Sequence, residues 1–99
     1  MPLYLVNARD KPDSLTLRMK CRPAHLEWAS QHADRIWMGG PVLSDDGKTS
    51  VGSTFLVEFE TLEAAKTWAE GDPYAQAGLF ATVDIVPYKW LLGDGKKAQ

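Results

Sequence analysis

The run STFLVEFE, residues 53–60, passes without a linker into TLEAAKTWAEG, residues 61–71. In the first run Phe55, Val57 and Phe59 share one face, and Leu56, Glu58 and Glu60 share the other, the period of a strand. At Thr61 the period changes. Leu62, Ala65 and Ala69 recur at helical spacing, Thr61 stands where a cap belongs, Glu63 occupies the first turn and Gly71 ends the run. A strand feeding a helix needs a second strand to return to. LFATVDIVPYKWLL, residues 79–92, is β-branched and aromatic and supplies it.

Upstream the same alternation recurs. LYLVNAR (3–9) is a short apolar run ended by the charged turn DKPD, and reads as a strand. Asp13 or Ser14 can cap a helix running to about Ala33. RIWMGGPVL (35–43) is again extended, and SDDGKTS is a polar loop or hairpin turn. The order is βαββαβ, an α+β, ferredoxin-like pattern. Right-handed crossovers place both helices on one face of a four-stranded antiparallel sheet. The first strand is apolar in both registers (Leu3 and Leu5; Tyr4 and Val6), and so is the last (Val83 and Ile85; Phe80, Val86 and Trp90). A wet second face exposes a large apolar patch, so a two-fold homodimer packed sheet against sheet is expected.

Ninety-nine residues make one domain, expected over 1–92, with GDGKKAQ (93–99) as a flexible polar tail. The apolar share of 44% with four tryptophans is enough for a core, which argues against disorder. The net charge is −2 and no basic run exceeds Lys96–Lys97, which argues against nucleic acid or an anionic membrane as partner. Cys21 is the lone cysteine, so an internal disulfide is excluded and a reducing cytosol fits. Neither a signal-peptide pattern nor an apolar run of about 18 residues is present, so a cytoplasmic protein is expected.

The chemistry-bearing residues concentrate in CRPAHLEW (21–28) and EGDPY (70–74). On a helical wheel Leu15, Met19, Leu26 and Ala33 form one stripe, the expected core face, while Arg18, Arg22 and His25 run along its margin. Pro23 inside a helix removes a hydrogen bond at a cost of about 3 kcal/mol, a penalty that a restart at Pro23 avoids. Arg18 joins the other two only if the helix is nearly continuous. At a helix edge, His25 serves either as a surface or capping residue or as part of a polar site. In EGDPY, Gly71 and Pro73 terminate helices and Asp72 suits a turn. With the helices antiparallel, Asp72 can also reach His25 and orient its ring, and a carboxylate holding an imidazole is a general acid–base unit. Asp34 is the rival partner, about 13 Å further along the helix axis, too far unless the helix ends early.

Metal binding is not expected, because His25 and His32 lie seven residues apart and neither C-x-x-C nor H-E-x-x-H occurs. No cofactor motif appears either: Gly39-Gly40-Pro41 lacks the lysine and the helix of a phosphate loop, and instead permits a bulge or a backbone close to a pocket. Cys21 falls away from the His25 margin. The tryptophans are candidates for core or for an apolar wall around a cyclic substrate.

Several motifs together resemble the YciI-like, YCII-related family: the D-x-x-x-S-L-x-x-R start of the first helix, RPAHL, the GGP turn, GST before a strand, and GDPY followed by AGLF. The similarity runs from Leu3 to about Trp90. Its departures lie between His25 and Gly39, which bears on Asp34, and in the short SDDGKTSVG loop, which bears on access to the site. The resemblance implies a dimeric ferredoxin-like α/β barrel with a His–Asp pair in a cleft, by position His25 with Asp72 or else Asp34. Proteins of this fold include muconolactone isomerases and a YCII-type dehydrochlorinase. The expectation is a cofactor-independent lyase or isomerase acting on a small carbonyl- or carboxylate-bearing, cyclic or conjugated substrate. His25 and Asp72 are the catalytic candidates, and Arg22, Ser53 and Tyr74 the substrate-binding ones. The alternative is a ligand-binding or interaction module of the same fold.

Overall fold

The computed structural model describes residues 2–93. Its elements are β1 (Leu3–Asp10), α1 (Leu15–Ser30), β2 (Ile36–Leu43), β3 (Ser50–Glu58), α2 (Leu62–Glu70), the short α3 (Pro73–Gln76) and β4 (Phe80–Tyr88), with a 3₁₀ turn at Ala33–Arg35 before β2. The four strands form one antiparallel sheet in the order β2-β3-β1-β4. This is the ferredoxin-like arrangement expected from the alternation of periods. The proposed tail lies almost wholly outside the described residues.

The β3–α2 junction forms as its residues demand. Phe55, Val57 and Phe59 turn into the core with Tyr4 and Val6 of β1 and Ala65 and Trp68 of α2. The Thr61 hydroxyl accepts from the Ala64 N–H at 3.0 Å, so α2 starts on a side-chain cap. Trp68, absent from the expected stripe, is the largest α2 contribution to the core and stacks on Trp28 at 4.5 Å.

Helix α1 departs from expectation in three ways. It is continuous through Pro23 and stops at Ser30, so there is no restart and Ala33 lies in the 3₁₀ turn. Ser14 is its N-cap position but makes no side-chain cap bond. Most importantly, the apolar stripe faces outward: Leu15, Met19 and Leu26 are 45%, 56% and 48% exposed, while Arg18 and His25 are 4% and 8% exposed. The wheel grouped these residues correctly and assigned the faces wrongly. Each inward polar group has a partner beneath the helix, and a buried polar group with its hydrogen bonds made carries little penalty.

The β2 strand is bulged at Trp37 and near its end, between Val42 and Leu43, rather than at the glycine pair. Gly39 instead allows a close approach: a Cβ there would sit 2.6 Å from Phe55 Cδ1. On the sheet face opposite the core, Met38, Leu56, Leu5 and Val86 line up across all four strands. Met38 and Val86 are 48% and 38% exposed on that face.

Candidate active site

A cavity of about 240 Å³ separates α1 from β2 and β3. Arg18, Arg22 and His25 of α1, Ser53 and Phe55 of β3, and Tyr74 of α3 reach its wall, along with the Gly39–Pro41 backbone of β2. Continuity of α1 through Pro23 is what puts Arg18, Arg22 and His25 on one side of it. The outward stripe acquires a place as well, since Met19 and Leu26 form part of the cavity's lining. No tryptophan is among the lining residues, so of the two roles open to the indoles the apolar wall is not met. Trp28 and Trp68 pack behind the site instead.

His25 Nδ1 lies 2.8 Å from Asp72 Oδ1, and both side chains are buried. Asp72 is fixed in turn by the start of α3. It is the N-cap of that helix, and the same Oδ1 accepts the Tyr74 N–H at 2.9 Å. The carboxylate form of Asp72 only accepts, so in that form Nδ1 is the donor of the pair and Nε2 is the ring nitrogen left outside it. Tyr74 stacks on the imidazole with centroids 4.1 Å apart and planes 16° from parallel, and Phe55 and Trp28 flank it at 5.8 and 5.7 Å. The ring is therefore held by one hydrogen bond and three aromatic neighbours. Asp34, the rival partner, is exposed in the 3₁₀ turn.

The cavity holds two arginines of different kinds. Arg22 is exposed and has no ion pair among the described residues. Arg18 is buried and bound three times: Nε to Asp10 Oδ2 at 2.7 Å, Nη2 to Asp10 Oδ1 at 3.1 Å, and Nη2 to Ser53 Oγ at 2.8 Å. Its guanidinium also lies over the Tyr74 ring at 4.5 Å. Burial pushes the Tyr74 phenol above its ordinary pKa, opposed by the Arg18 charge, so the hydroxyl is a proton-bearing donor at neutral pH.

Residue-by-residue reading of the sequence joined Arg18 to Arg22 and His25 only on condition of a nearly continuous helix, a condition the structure meets, but gave it no role and passed over Asp10. The signal was present, because the D-x-x-x-S-L-x-x-R run begins at Asp10 and ends at Arg18. Among the described residues no three of His, Cys, Asp and Glu converge as a metal ion would require. No helix is long and apolar enough to cross a membrane.

Known proteins share this architecture and much of the sequence. Protein YciI of Escherichia coli is 42% identical over 94 residues, covering 88% of this chain and 96% of its own length. An uncharacterised protein of Haemophilus influenzae is 37% identical over 93 residues, covering 87% and 95%. Among solved structures, 5-chloro-2-hydroxyhydroquinone dehydrochlorinase (TftG) of Burkholderia phenoliruptrix, in complex with 2,5-dihydroxybenzoquinone, superposes with a TM-score of 0.79 at 33% identity. That similarity covers 92% of this chain and 95% of the enzyme. The YCII-related domain itself matches residues 2–89, from the start of β1 to the end of β4, so the chain belongs to the YCII-related family.

Proposed function

We propose that the cavity between α1 and β3 is the active site of a cofactor-independent lyase or isomerase. The observation that carries this reading is the buried His25–Asp72 pair, 2.8 Å apart, on the wall of a cavity. In this reading His25 Nε2 removes a proton next to a carbonyl or enolic carbon while Asp72 holds the ring and stabilises the imidazolium that forms. Ser53 and Tyr74 contact the substrate's oxygen atoms, and Arg22 at the exposed edge attracts a carboxylate or other anionic group. Ligand sites for drug-sized molecules span about 300–1,000 Å³, so a smaller cavity suits a single ring or a short conjugated chain. The likeness to a dehydrochlorinase complexed with a dihydroxybenzoquinone supports the same size and chemistry.

For a chlorinated hydroquinone the step balances without any added reagent. One hydroxyl proton moves to the chlorine-bearing carbon, giving the keto form. Nε2 then takes a second hydroxyl proton, that O–H electron pair becomes a carbonyl, the ring double bond shifts and the carbon–chlorine pair leaves as chloride. A hydroxybenzoquinone forms with net loss of HCl. The direct test is chloride release from 5-chloro-2-hydroxyhydroquinone by the wild type and by His25→Gln, with circular dichroism to confirm the fold. Turnover that is lost in the variant supports the assignment. Equal turnover in the two proteins refutes it. Binding of 2,5-dihydroxybenzoquinone without any product favours a ligand-binding module over an enzyme.

The proposal extends to a homodimer in the cytoplasm. At the two ends of the apolar row, Met38 and Val86 are exposed, while Leu56 between them is buried; these exposed apolar side chains support a second copy on the outer sheet face. The lone Cys21, half-buried and unpaired, suits a reducing compartment.

A further inference from the structure

We infer that Arg18, held by Asp10 and joined to Ser53, is the oxyanion-stabilising group of this site and contacts the substrate oxygen on which negative charge develops. The inference rests on the reading of His25 as the base and adds a second group on the same side of the cavity, seven residues before it on α1. Arg18 and Ser53 both line the cavity that His25 enters. The bonds to Asp10 and Ser53 use Nε and Nη2, leaving the two N–H groups of Nη1 uncommitted to them. Ser53 Oγ accepts from Arg18, so its own hydrogen is left to donate to another acceptor. Tyr74 lies on the same wall, its ring beneath the guanidinium and its phenol engaged with Arg18.

Two features separate this arrangement from a purely structural ion pair. The first is rigidity. The Arg18 side chain is buried and its guanidinium fixed at two of its nitrogens, so its donors need no reorganisation when charge appears, the property that makes such groups effective. The second is charge balance. Asp10 neutralises Arg18, which limits the attraction for an anion already present in the ground state. The donors still strengthen their bonds as a carbonyl oxygen becomes an enolate or a phenol oxygen a phenolate, and only an interaction stronger in the transition state raises the rate. Arg22 has neither feature, being exposed and unpaired among the described residues, which suits it to attracting anions at the cavity edge. The ligand class that follows is a small ring or conjugated chain with a weakly acidic hydroxyl or an enolisable carbonyl. Its oxygen lies on Arg18 and Ser53, and its proton goes to His25.

The test uses 4-cyanophenol, a single ring that is mostly protonated at neutral pH and whose phenolate has its own ultraviolet band. Mixed with the wild type, it is expected to bind as phenolate, its proton transferred to His25. Arg18→Met alone leaves Asp10 buried without a partner and endangers the fold. The measured variant is therefore Asp10→Leu/Arg18→Met, which removes both charges together, with Lys20→Met as a control for loss of a cation on the same helix. The expected result is a bound-phenolate signal that survives Lys20→Met and falls by on the order of 100-fold in the double variant. Persistence of the band in the folded double variant overturns the assignment of Arg18, as does wild type that binds the phenol without the band or fails to bind it. A band lost in His25→Gln but kept in the double variant leaves the base standing and removes Arg18. The opposite pattern keeps Arg18 and removes the base.

Discussion

Gly39 provides a quantitative test of how tightly the site and the core are joined. A Cβ at this position would lie 2.6 Å from Phe55 Cδ1 and 3.0 Å from Cε1. Carbon atoms rest at about 3.5–4.0 Å, so Gly39→Ala requires the ring to give way by roughly 1 Å. Phe55 has little room to do so, being 6% exposed, edge-on to Trp28 at 6.3 Å and Trp68 at 5.6 Å, and 5.8 Å from His25. Overpacking of this kind typically costs about 1–3 kcal/mol. In a domain of this size each kcal/mol lowers Tm by about 4–8 °C, so a fall of between about 4 and 24 °C is expected. Calorimetric melting of Gly39→Ala measures it. The cause is isolated by repeating the substitution in a Phe55→Leu background, where the ring is gone and the added methyl group should cost about 1 kcal/mol less or better. An unchanged Tm in Gly39→Ala, or an equal loss in both backgrounds, refutes the idea that this glycine makes room for Phe55.

Two further outcomes follow from the same geometry. Burial raises the Tyr74 pKa above its ordinary value of 10.0, so between the unfolded and folded values the native state binds more protons than the unfolded chain. That contribution is complete below pH 10.0 and is lost as pH rises beyond it, so alkaline melting of Tyr74→Phe should fall less steeply there than wild type; parallel curves would exclude the assignment. For assembly, sedimentation equilibrium at micromolar concentration should give a dimer, and Val86→Glu, placing a charge in the apolar row of the outer face, should shift it toward monomer. A wild type that remains monomeric at that concentration rules out the proposed pairing.

The strand-to-helix switch at Thr61 was legible because both its halves are local. Alternation in 53–60 and helical spacing in 62–69 depend on neighbours a few residues away, and so does the Thr61 cap. The short helix α3 was not anticipated, since four residues between Asp72 and Ala77 carry too little periodicity to register. The wheel of α1 shows the limit most clearly. It grouped Arg18, Arg22 and His25 correctly, and it grouped Leu15, Met19 and Leu26 correctly. Hydrophobicity then pointed the second group inward, whereas the structure buries Arg18 and His25 of the first and leaves Arg22 exposed at the cavity edge.

The sequence by itself determined the order of elements, the two crossovers, the family and the short set of side chains able to do chemistry. Tertiary structure alone decided which face of α1 lies against the sheet. Periodicity records which residues share a face; the direction of that face depends on what it meets. The partners that turn the polar face inward come from distant points in the chain: Ser53 lies 35 residues from Arg18, and Asp72 lies 47 residues from His25. Once those bonds compensate the burial of an arginine and a histidine, the helix can expose its leucines and leave a cavity where a core would have been.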